Sequence, residues 1–312
     1  MAYLTIDQAS ASEREALALI RAEAWAKELS RVEFCERNKI LYSHPFGTKR
    51  IQTLLLKNPE KKIVSSMDAL QVKFFFKETE TQKIVVREGF LIASVLTPIQ
   101  HRRKGYASHL MKDFLSRQNL GIGVLYSDIG PKFYERYGFQ KTKVQSRELV
   151  EPFLNTSIDP VPIEMNDWIE KVKSFRRIRF EREKAAQLCL VPETEFWDWQ
   201  IERYRYFSRL KGHPTIPAPF FEINTNSGPS YFCVVKNVLT QTADVLWFDS
   251  DCPESLPAIG RIAKDWGLGR IHFWSPKELG QSIHEECPMG WFQGASKPSP
   301  EGFYDPQLCD WW

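Results

Sequence analysis

The reading of the chain turns on Val95-Leu96-Thr97-Pro98-Ile99-Gln100-His101-Arg102-Arg103-Lys104-Gly105-Tyr106-Ala107-Ser108-His109. An apolar, β-prone run from Arg87 to Val95 precedes it, and Ala107, Leu110, Met111, Phe114 and Leu115 follow at helical spacing. The order is strand, short basic loop with one glycine, helix. Such a junction receives anions, because the first turn of a helix has N–H groups without intrahelical partners and the helix dipole places partial positive charge there. Gly105 lets the backbone approach a ligand, and Arg102, Arg103 and Lys104 add charge, so a phosphate or pyrophosphate is the natural guest. The dinucleotide fingerprint is excluded, since its second and third glycines are missing, and no Gly-Lys-Ser/Thr follows to make a P-loop.

Two motifs carry a family resemblance. The first is Arg102-x-x-Gly105-x-Ala107, entered from a strand that ends Val95-Leu96-Thr97-Pro98. The second is Leu125-Tyr126-Ser127-Asp128-Ile129-Gly130-Pro131-Lys132-Phe133-Tyr134-Glu135-Arg136-Tyr137-Gly138-Phe139. Together they resemble the GNAT superfamily of acyl-CoA N-acyltransferases. The resemblance implies an α+β fold with a mixed sheet and acetyl-CoA as cosubstrate, with no metal. It implies that the amides from Arg103 through Lys104, Gly105, Tyr106 and Ala107 to Ser108 wrap the coenzyme pyrophosphate, with Arg102 in support. It further implies a bulge in the preceding strand, with the backbone of Val95, Leu96 and Thr97 pairing with the pantetheine arm and one N–H facing the thioester oxygen. Stabilisation of that kind is worth ~2.7–4 kcal/mol per donor. The bland alternative for the loop is an ordinary helix start with solvated charges.

The catalytic candidates follow from the same resemblance. Tyr134 stands where many family members carry the acid that protonates the departing thiolate. A phenol with a reference pKa of about 10 is a suitable proton source for a thiolate of ~8.5; otherwise Tyr134 stacks beneath the coenzyme. Glu88, on the strand leading to the site, is the candidate base, against the alternative of a solvated or paired carboxylate. Asp128 reads either as an N-cap before Pro131 or, with Ser127, as a contact to a cationic substrate where two strands part. His284-Glu285-Glu286-Cys287 contains metal-ligand residue types but matches no zinc spacing.

The Ser127-Asp128-Ile129-Gly130 block, with Val95-Leu-Thr-Pro-x-x-His-Arg-Arg-Lys-Gly-Tyr-Ala, resembles more narrowly the fungal lysine N6-acetyltransferases of lysine catabolism, which carry a C-terminal extension of about this size. Phe139 stands where many of them have Trp. This resemblance implies acetyl transfer to the ε-amine of free L-lysine. Two alternatives stay open: a GNAT enzyme acting on a polyamine, peptide or protein, and a non-catalytic acyl-CoA-binding scaffold.

Composition sets outer bounds. The 312 residues exceed one ordinary domain, and 43% hydrophobic with 13% aromatic residues supply a substantial core. The 42 basic and 39 acidic residues leave a net charge of +3, with no basic run of the kind that binds nucleic acid. Six scattered cysteines without a C-x-x-C pair read as reduced thiols. The first residues lack a signal-peptide pattern and no apolar run is long enough to span a bilayer, so the cytosol is the expected compartment and no membrane partner is expected.

Along the chain, residues 1–150 read as the acyltransferase unit, in the order β-α-α-β-β-β-α-β-α-β. Its first helix, Glu13 to Leu29, is predicted to open on a capping box at Ser12-Glu13-Arg14-Glu15, and its last strand to run from Phe139 to Leu149. Residues 151–165, with Pro152, Pro160 and Pro162, read as a linker. Residues 166–312 read as a smaller α+β domain, helices on a small antiparallel sheet, resembling an incomplete acyltransferase unit and a possible cover for the acceptor site. It has no second R-x-x-G-x-A and is expected to bind no coenzyme of its own. The tail from Trp291 to Trp312 is aromatic enough to need burial. Oligomeric state is not encoded legibly.

Overall fold

The computed structural model describes residues 4–292 apart from Thr79, 119–120, Asp128, 142–144, Pro152, 154–157, 183–187, Pro214, Ser227, 249–251, 276–280 and 285–286. β1 (Thr5–Gln8) leads into α1 (Ala11–Trp25). The capping box lies two residues earlier than the pattern predicts: Ser10, not Ser12, accepts from the Glu13 N–H at 3.3 Å, and Glu13 accepts from the Ser10 N–H at 2.9 Å. Lys57, 2.6 Å from the Glu13 carboxylate, adds a charge partner in this frame. α2 (Arg31–Ser43) opens on a second capping box, Ser30 with Glu33. Pro45 then begins a short helix, α3 (Pro45–Arg50), since a first helical turn does not require its missing N–H.

β2 (Ile51–Lys57), β3 (Ile63–Lys77) and β4 (Ile84–Leu96) form an antiparallel meander. A single 3₁₀ turn at Ile99–His101 and the basic loop lead to α4 (Tyr106–Arg117). β5 (Ile122–Ser127) returns parallel to β4, as a helical crossover requires. α5 (Lys132–Glu135) and β6 (Gln140–Lys141) are short. The chain continues through β7 (Gln145–Val150), β8 (Val161–Pro162), α6 (Met165–Arg182), β9 (Leu188–Leu190), α7 (Thr194–Leu210) and β10 (Phe220–Thr225). It closes with β11 (Gly228–Asn237), β12 (Thr242–Phe248), α8 (Ser255–Asp265), β13 (Arg270–Ser275), β14 (Gln281–His284) and β15 (Cys287–Phe292).

These strands make two sheets that exchange elements. The first runs β1-β2-β3-β4-β5-β15-β6, with β9 also on β3; the second runs β14-β7-β13-β12-β11-β10-β8. The strand expected over Phe139–Leu149 is therefore two strands in different sheets, and the boundary at residue 150 is not a boundary between sheets. β15 of the second half lies antiparallel to β5, while β7 of the first half lies antiparallel to β13. The reason is shared. Each half ends its meander in a parallel pair, β4 with β5 and β12 with β13, whose second strand offers an open edge. Each edge is covered by a strand from the other half. The second sheet is mixed rather than antiparallel, because α8 connects β12 to β13 as a crossover.

Helices fill the space between the sheets. One apolar cluster joins Leu70, Val72 and Leu91 of the first sheet to Phe34 of α2, Trp168 of α6, Trp197 of α7 and Cys233 and Trp247 of the second sheet. α4 covers the opposite face of the first sheet through Leu110, Met111 and Phe114, and α8 covers the outer face of the second through Ala258, Ile259 and Ile262. α7 fastens the halves with directed bonds: Trp199 Nε1 donates to the Leu41 carbonyl at 2.9 Å and the Tyr206 hydroxyl donates to the Glu33 carbonyl at 2.8 Å. Its apolar stripe spans more than two turns and buries Phe196, Trp197, Ile201, Tyr204 and Phe207.

Candidate active site

β4 and β5 pair only from Phe90–Gly123 to Ile92–Leu125, after which they part. On its other side β4 pairs Ala93 with Asp68 and next Leu96 with Ser66, so Ser94 and Val95 stand opposite the single residue Met67. This is a β-bulge. Ser94 adopts φ 53°, which a non-glycine residue holds only when its surroundings impose it. Those surroundings are charged and buried. Arg21 of α1 donates to the Ser94 carbonyl at 3.3 Å and to Asp68 Oδ2 at 2.6 Å, and the Tyr42 hydroxyl donates to the same Asp68 oxygen at 2.8 Å. Burial and the neighbouring Asp68 carboxylate hold the Tyr42 hydroxyl well above the ordinary phenol range.

A cavity of about 690 Å³ occupies the splay. Its walls include Val95, Leu96 and Thr97 from the bulged strand, and Arg102, Arg103, Gly105, Tyr106, Ala107 and Ser108 from the loop and first turn of α4. Gly105 is the N-cap at φ +79°, and an added Cβ there would meet nothing within 4 Å, so the loop backbone faces open space. Arg102 Nε donates to the Thr97 carbonyl at 3.1 Å and closes the loop on itself. A helix start, two guanidinium groups and an open backbone fit a pyrophosphate, and the cavity wall beside an interrupted strand fits an acylated arm that hydrogen-bonds to backbone. Tyr134, only 5% exposed, lines the same cavity opposite the bulged strand, its ring set edge-on to Phe133 and Phe139.

Comparison with known proteins agrees with this geometry. Residues 5–142 match the acetyltransferase (GNAT) domain family. Residues 5–142 are a GNAT acetyltransferase domain. No curated protein matches the chain by sequence. By fold, the chain is similar over 93% of its length to a conserved protein of Enterococcus faecalis V583, with TM-score 0.60, 17% identity and 73% of that chain covered. It is similar over 92% of its length to a GCN5-related N-acetyltransferase from Anabaena variabilis, with TM-score 0.59, 14% identity and 72% of that chain covered. A third similar structure is the N-myristoyltransferase of Saccharomyces cerevisiae with bound myristoyl-CoA: TM-score 0.53, 10% identity, 96% of this chain and 84% of that one. The likeness extends through both halves, so the two-sheet architecture as a whole is shared with these structures.

Within the GNAT domain, the residues expected from the motifs are not all brought together. Lys104 is exposed and lies outside the cavity wall, whereas every other expected coenzyme contact lines it. Glu88 lines none of the cavities near the splay. It sits on the α4 face of the sheet, accepting from Gln71 Nε2 at 2.7 Å with Arg50 at 3.9 Å, and five residues of strand separate it from Ser94. Ser127 is fully buried and donates to the Gly130 carbonyl at 2.7 Å, fixing the turn before α5. Asp128 lies outside the described residues.

Two further spaces open on the other face of β4. A small chamber of about 50 Å³ is lined by Arg21, Tyr42, Asp68, Ala93 and Ser94 of the GNAT domain and by Trp199 and Arg203 of α7. Beyond it lies a larger chamber of about 280 Å³, walled by Arg37 and Arg203 together with Tyr204, Asp244 and His272 of the second unit. Trp25, at the end of α1, lines the cavity at the splay and both chambers, so the three spaces meet around one side chain. Asp68 Oδ1 is buried with no hydrogen-bond partner among the described residues, which leaves one carboxylate oxygen for a guest. Burial, and then the neighbouring Arg203 guanidinium, pull the Arg37 guanidinium down to about 9. Motif reading missed Asp68, Arg37, Arg203 and Trp25. The one local signal was Asp68 itself, a lone charge inside the apolar run Met67-Asp68-Ala69-Leu70.

The second unit repeats the architecture without the loop. β12 is bulged against β11 between Val245 and Trp247, and β12 and β13 pair only through Ala243–Ile271 and Asp244–His272. Where the GNAT domain has Arg102, Arg103 and Lys104 ahead of its helix, the second unit has Asp249, Asp251 and Glu254 ahead of α8, and no glycine. An acidic approach repels a pyrophosphate.

Proposed function

We propose that the protein transfers an acetyl group from acetyl-CoA to the ε-amine of free L-lysine by direct attack in a ternary complex, in the cytosol. The observation that carries acetyl transfer is the splay with its bulged strand, basic loop and Tyr134 around one cavity. Acetyl-CoA, held there, supplies an activated acyl group. The chain's own residues do the remainder. Ser94 and Val95, taken out of the β3 ladder by the bulge, present backbone to the thioester. Tyr134 gives its hydroxyl proton to the departing sulfur as the carbon–sulfur bond breaks and the carbon–nitrogen bond forms. Asp68 receives the substrate ammonium on Oδ1 and holds the amine beside Ser94, taking the role first considered for Glu88. Asp68 Oδ1 takes one proton from the ammonium so that the neutral amine attacks; the second nitrogen proton passes to water as the amide forms, and water returns a proton to Tyr134. The Ser127-Asp128-Ile129-Gly130 resemblance supports lysine as acceptor, and an acceptor chamber walled by both units supports a small molecule over a peptide groove.

The test is thiol release from acetyl-CoA by the purified protein with L-lysine beside polyamines and a lysine-containing peptide. Lysine-dependent release supports the proposal. Turnover of polyamine or peptide alone removes lysine and keeps acetyl transfer. Coenzyme binding with no turnover on any amine leaves the acyl-CoA-binding scaffold.

A further inference from the structure

We infer that the Trp25 indole is the partition between the thioester and the acceptor chambers, the side chain that decides whether an amine or water reaches the acetyl group. The inference rests on the acetyl-transfer reading and assigns a specificity-determining residue to that site.

The boundary between the spaces runs along the bulge. Ala93 and Ser94 line the small chamber, whereas the residues that follow them, Val95, Leu96 and Thr97, line the cavity of the splay. Among the described residues, Trp25 alone lies on the walls of both the cavity and the small chamber. It is also the only one shared by the cavity and the larger chamber. A path from either chamber to the thioester therefore runs between the bulge and this indole. The helix sets that placement. Trp25 follows Arg21 by one turn on the same face of α1, and Arg21 is fixed to the sheet, donating to Asp68 Oδ2 at 2.6 Å and to the Ser94 carbonyl at 3.3 Å. The ion pair that holds the bulge thus also holds the indole across it. Trp25 is half-buried and packs on the apolar cluster that contains Leu70 and Ala93.

The chemistry behind the partition gives it a purpose. Asp68 Oδ1 is buried without a hydrogen-bond partner among the described residues, on the wall of the small chamber. That chamber, of about 50 Å³, takes about three to five water-sized groups at ~10–15 Å³ each. With an acceptor bound, an ammonium and part of its arm fill this space. Without one, water there would lie beside a carboxylate able to act as general base. Asp68 would take a proton from that water as its oxygen bonds to the acetyl carbon, the carbon–sulfur bond breaks and Tyr134 protonates the sulfur. Acetate and free coenzyme A would result, and the acetyl group would be lost. Excluding water from a closed site suppresses such a side reaction. A large, rigid, apolar ring bars water while offering contact surface to an aliphatic arm.

The experiment measures thiol release from acetyl-CoA with and without L-lysine, quantifies acetate and acetylated amine, and follows coenzyme A binding by calorimetry. In the wild-type protein, thiol release is expected to match acetylated amine mole for mole, with little acetate. Trp25→Ala is expected to raise amine-free release by about 10²-fold, the low end of what an accessible general base supplies, with acetate as the product and coenzyme A still bound. Trp25→Phe, which keeps an aromatic ring at the opening, is expected to restore most of the coupling. Trp25→Leu provides a second truncation should Trp25→Ala not fold. Amine-free release that stays at the wild-type level in the truncations overturns the partition and leaves acetyl transfer standing, as does weakened coenzyme A binding with no acetate formed. Should no amine turn over in the wild-type protein, the acetyl-transfer reading falls and amine-free release decides alone. A rise in acetate in Trp25→Ala or Trp25→Leu then supports the partition, and its absence overturns it.

Discussion

Arg21 Nη1 lies 2.6 Å from Asp68 Oδ2, with the two side chains 3% and 7% exposed, and the same guanidinium reaches the carbonyl of the strained Ser94. The bulge is therefore held by an ion pair from α1 to β3. Replacing Arg21 by Met leaves a buried carboxylate without its cation, and such losses amount to ~3–5 kcal/mol. Urea denaturation should show this drop, with Tyr42→Phe losing less, ~1.5–3 kcal/mol for one hydrogen bond to a charge. A loss below about 1 kcal/mol in Arg21→Met would remove the pair as the support of the bulge.

Tyr134→Phe keeps the ring packing and removes the proton. With Tyr134 as acid, kcat falls by about 10²-fold or more while coenzyme affinity is unchanged. An unchanged kcat with weakened coenzyme binding assigns Tyr134 to packing alone.

The two glycines of the strand-loop region separate stability from binding. A Cβ on Gly89 would meet Phe74 Cε2 at 2.8 Å and the Ile122 carbonyl at 2.9 Å, so Gly89→Ala is expected to cost ~1–3 kcal/mol by overpacking, with coenzyme affinity retained. Gly105→Ala meets no atom but forces a left-handed residue, ~1–2 kcal/mol, at the point where the loop faces the ligand. Calorimetric titration with coenzyme A should detect weakened binding in Gly105→Ala only. Equal affinities in both variants would count against the loop as the pyrophosphate site.

Acid stability should report Glu13. Hydrogen bonds from Lys57, and then from Ser10, hold its carboxyl at about 2, below the ordinary 4.5. A group lowered on folding contributes above its unfolded value and stops contributing as pH falls through its folded one. Glu13 thus stabilises the fold fully above about pH 4.5, and the contribution fades toward pH 2. Glu13→Gln should reduce stability near neutrality and flatten this part of the acid limb, measured by denaturation at stepped pH. A parallel acid limb in the variant would contradict the assignment.

The strand exchange predicts that the halves do not separate. Removing residues 287–312 uncovers the full length of β5, and a fragment of residues 1–150 carries β7 without the sheet that receives it. Both should aggregate or unfold without cooperativity, by light scattering and thermal melts. A soluble, cooperatively folding 1–150 fragment would show the exchange to be dispensable.

Legibility followed the range of the interactions. β2 and β3 fall on the residues predicted, because alternation and the Asn58-Pro59 stop are local signals. The basic loop was legible because its charges and its glycine are consecutive in the chain, and Gly105 has a left-handed conformation that suits glycine. The capping box was displaced by two residues because Ser10 and Ser12 carry the same local pattern, each three residues before a Glu, and Lys57, 2.6 Å from Glu13, comes from the distant strand β2. β10 was hidden behind Pro214, Pro217 and Pro219, and its pairing with β11 and β8 overrides that flank.

By itself the sequence determined the strand–loop–helix junction, the meander before it, the position of Tyr134 and the absence of a basic glycine loop in the second half. These depend on periodicity, turn chemistry and charge within a few residues. Only the tertiary structure decided that β7 and β15 change sheets, since an open edge is filled by whichever strand packing brings alongside. It alone set Glu88 on the α4 face and Asp68 beside the bulge, because one residue of register decides which face of a sheet a side chain occupies. That Arg37 and Arg203, far apart in the chain, line the same chamber was decided there too, by the packing of α7 across α2.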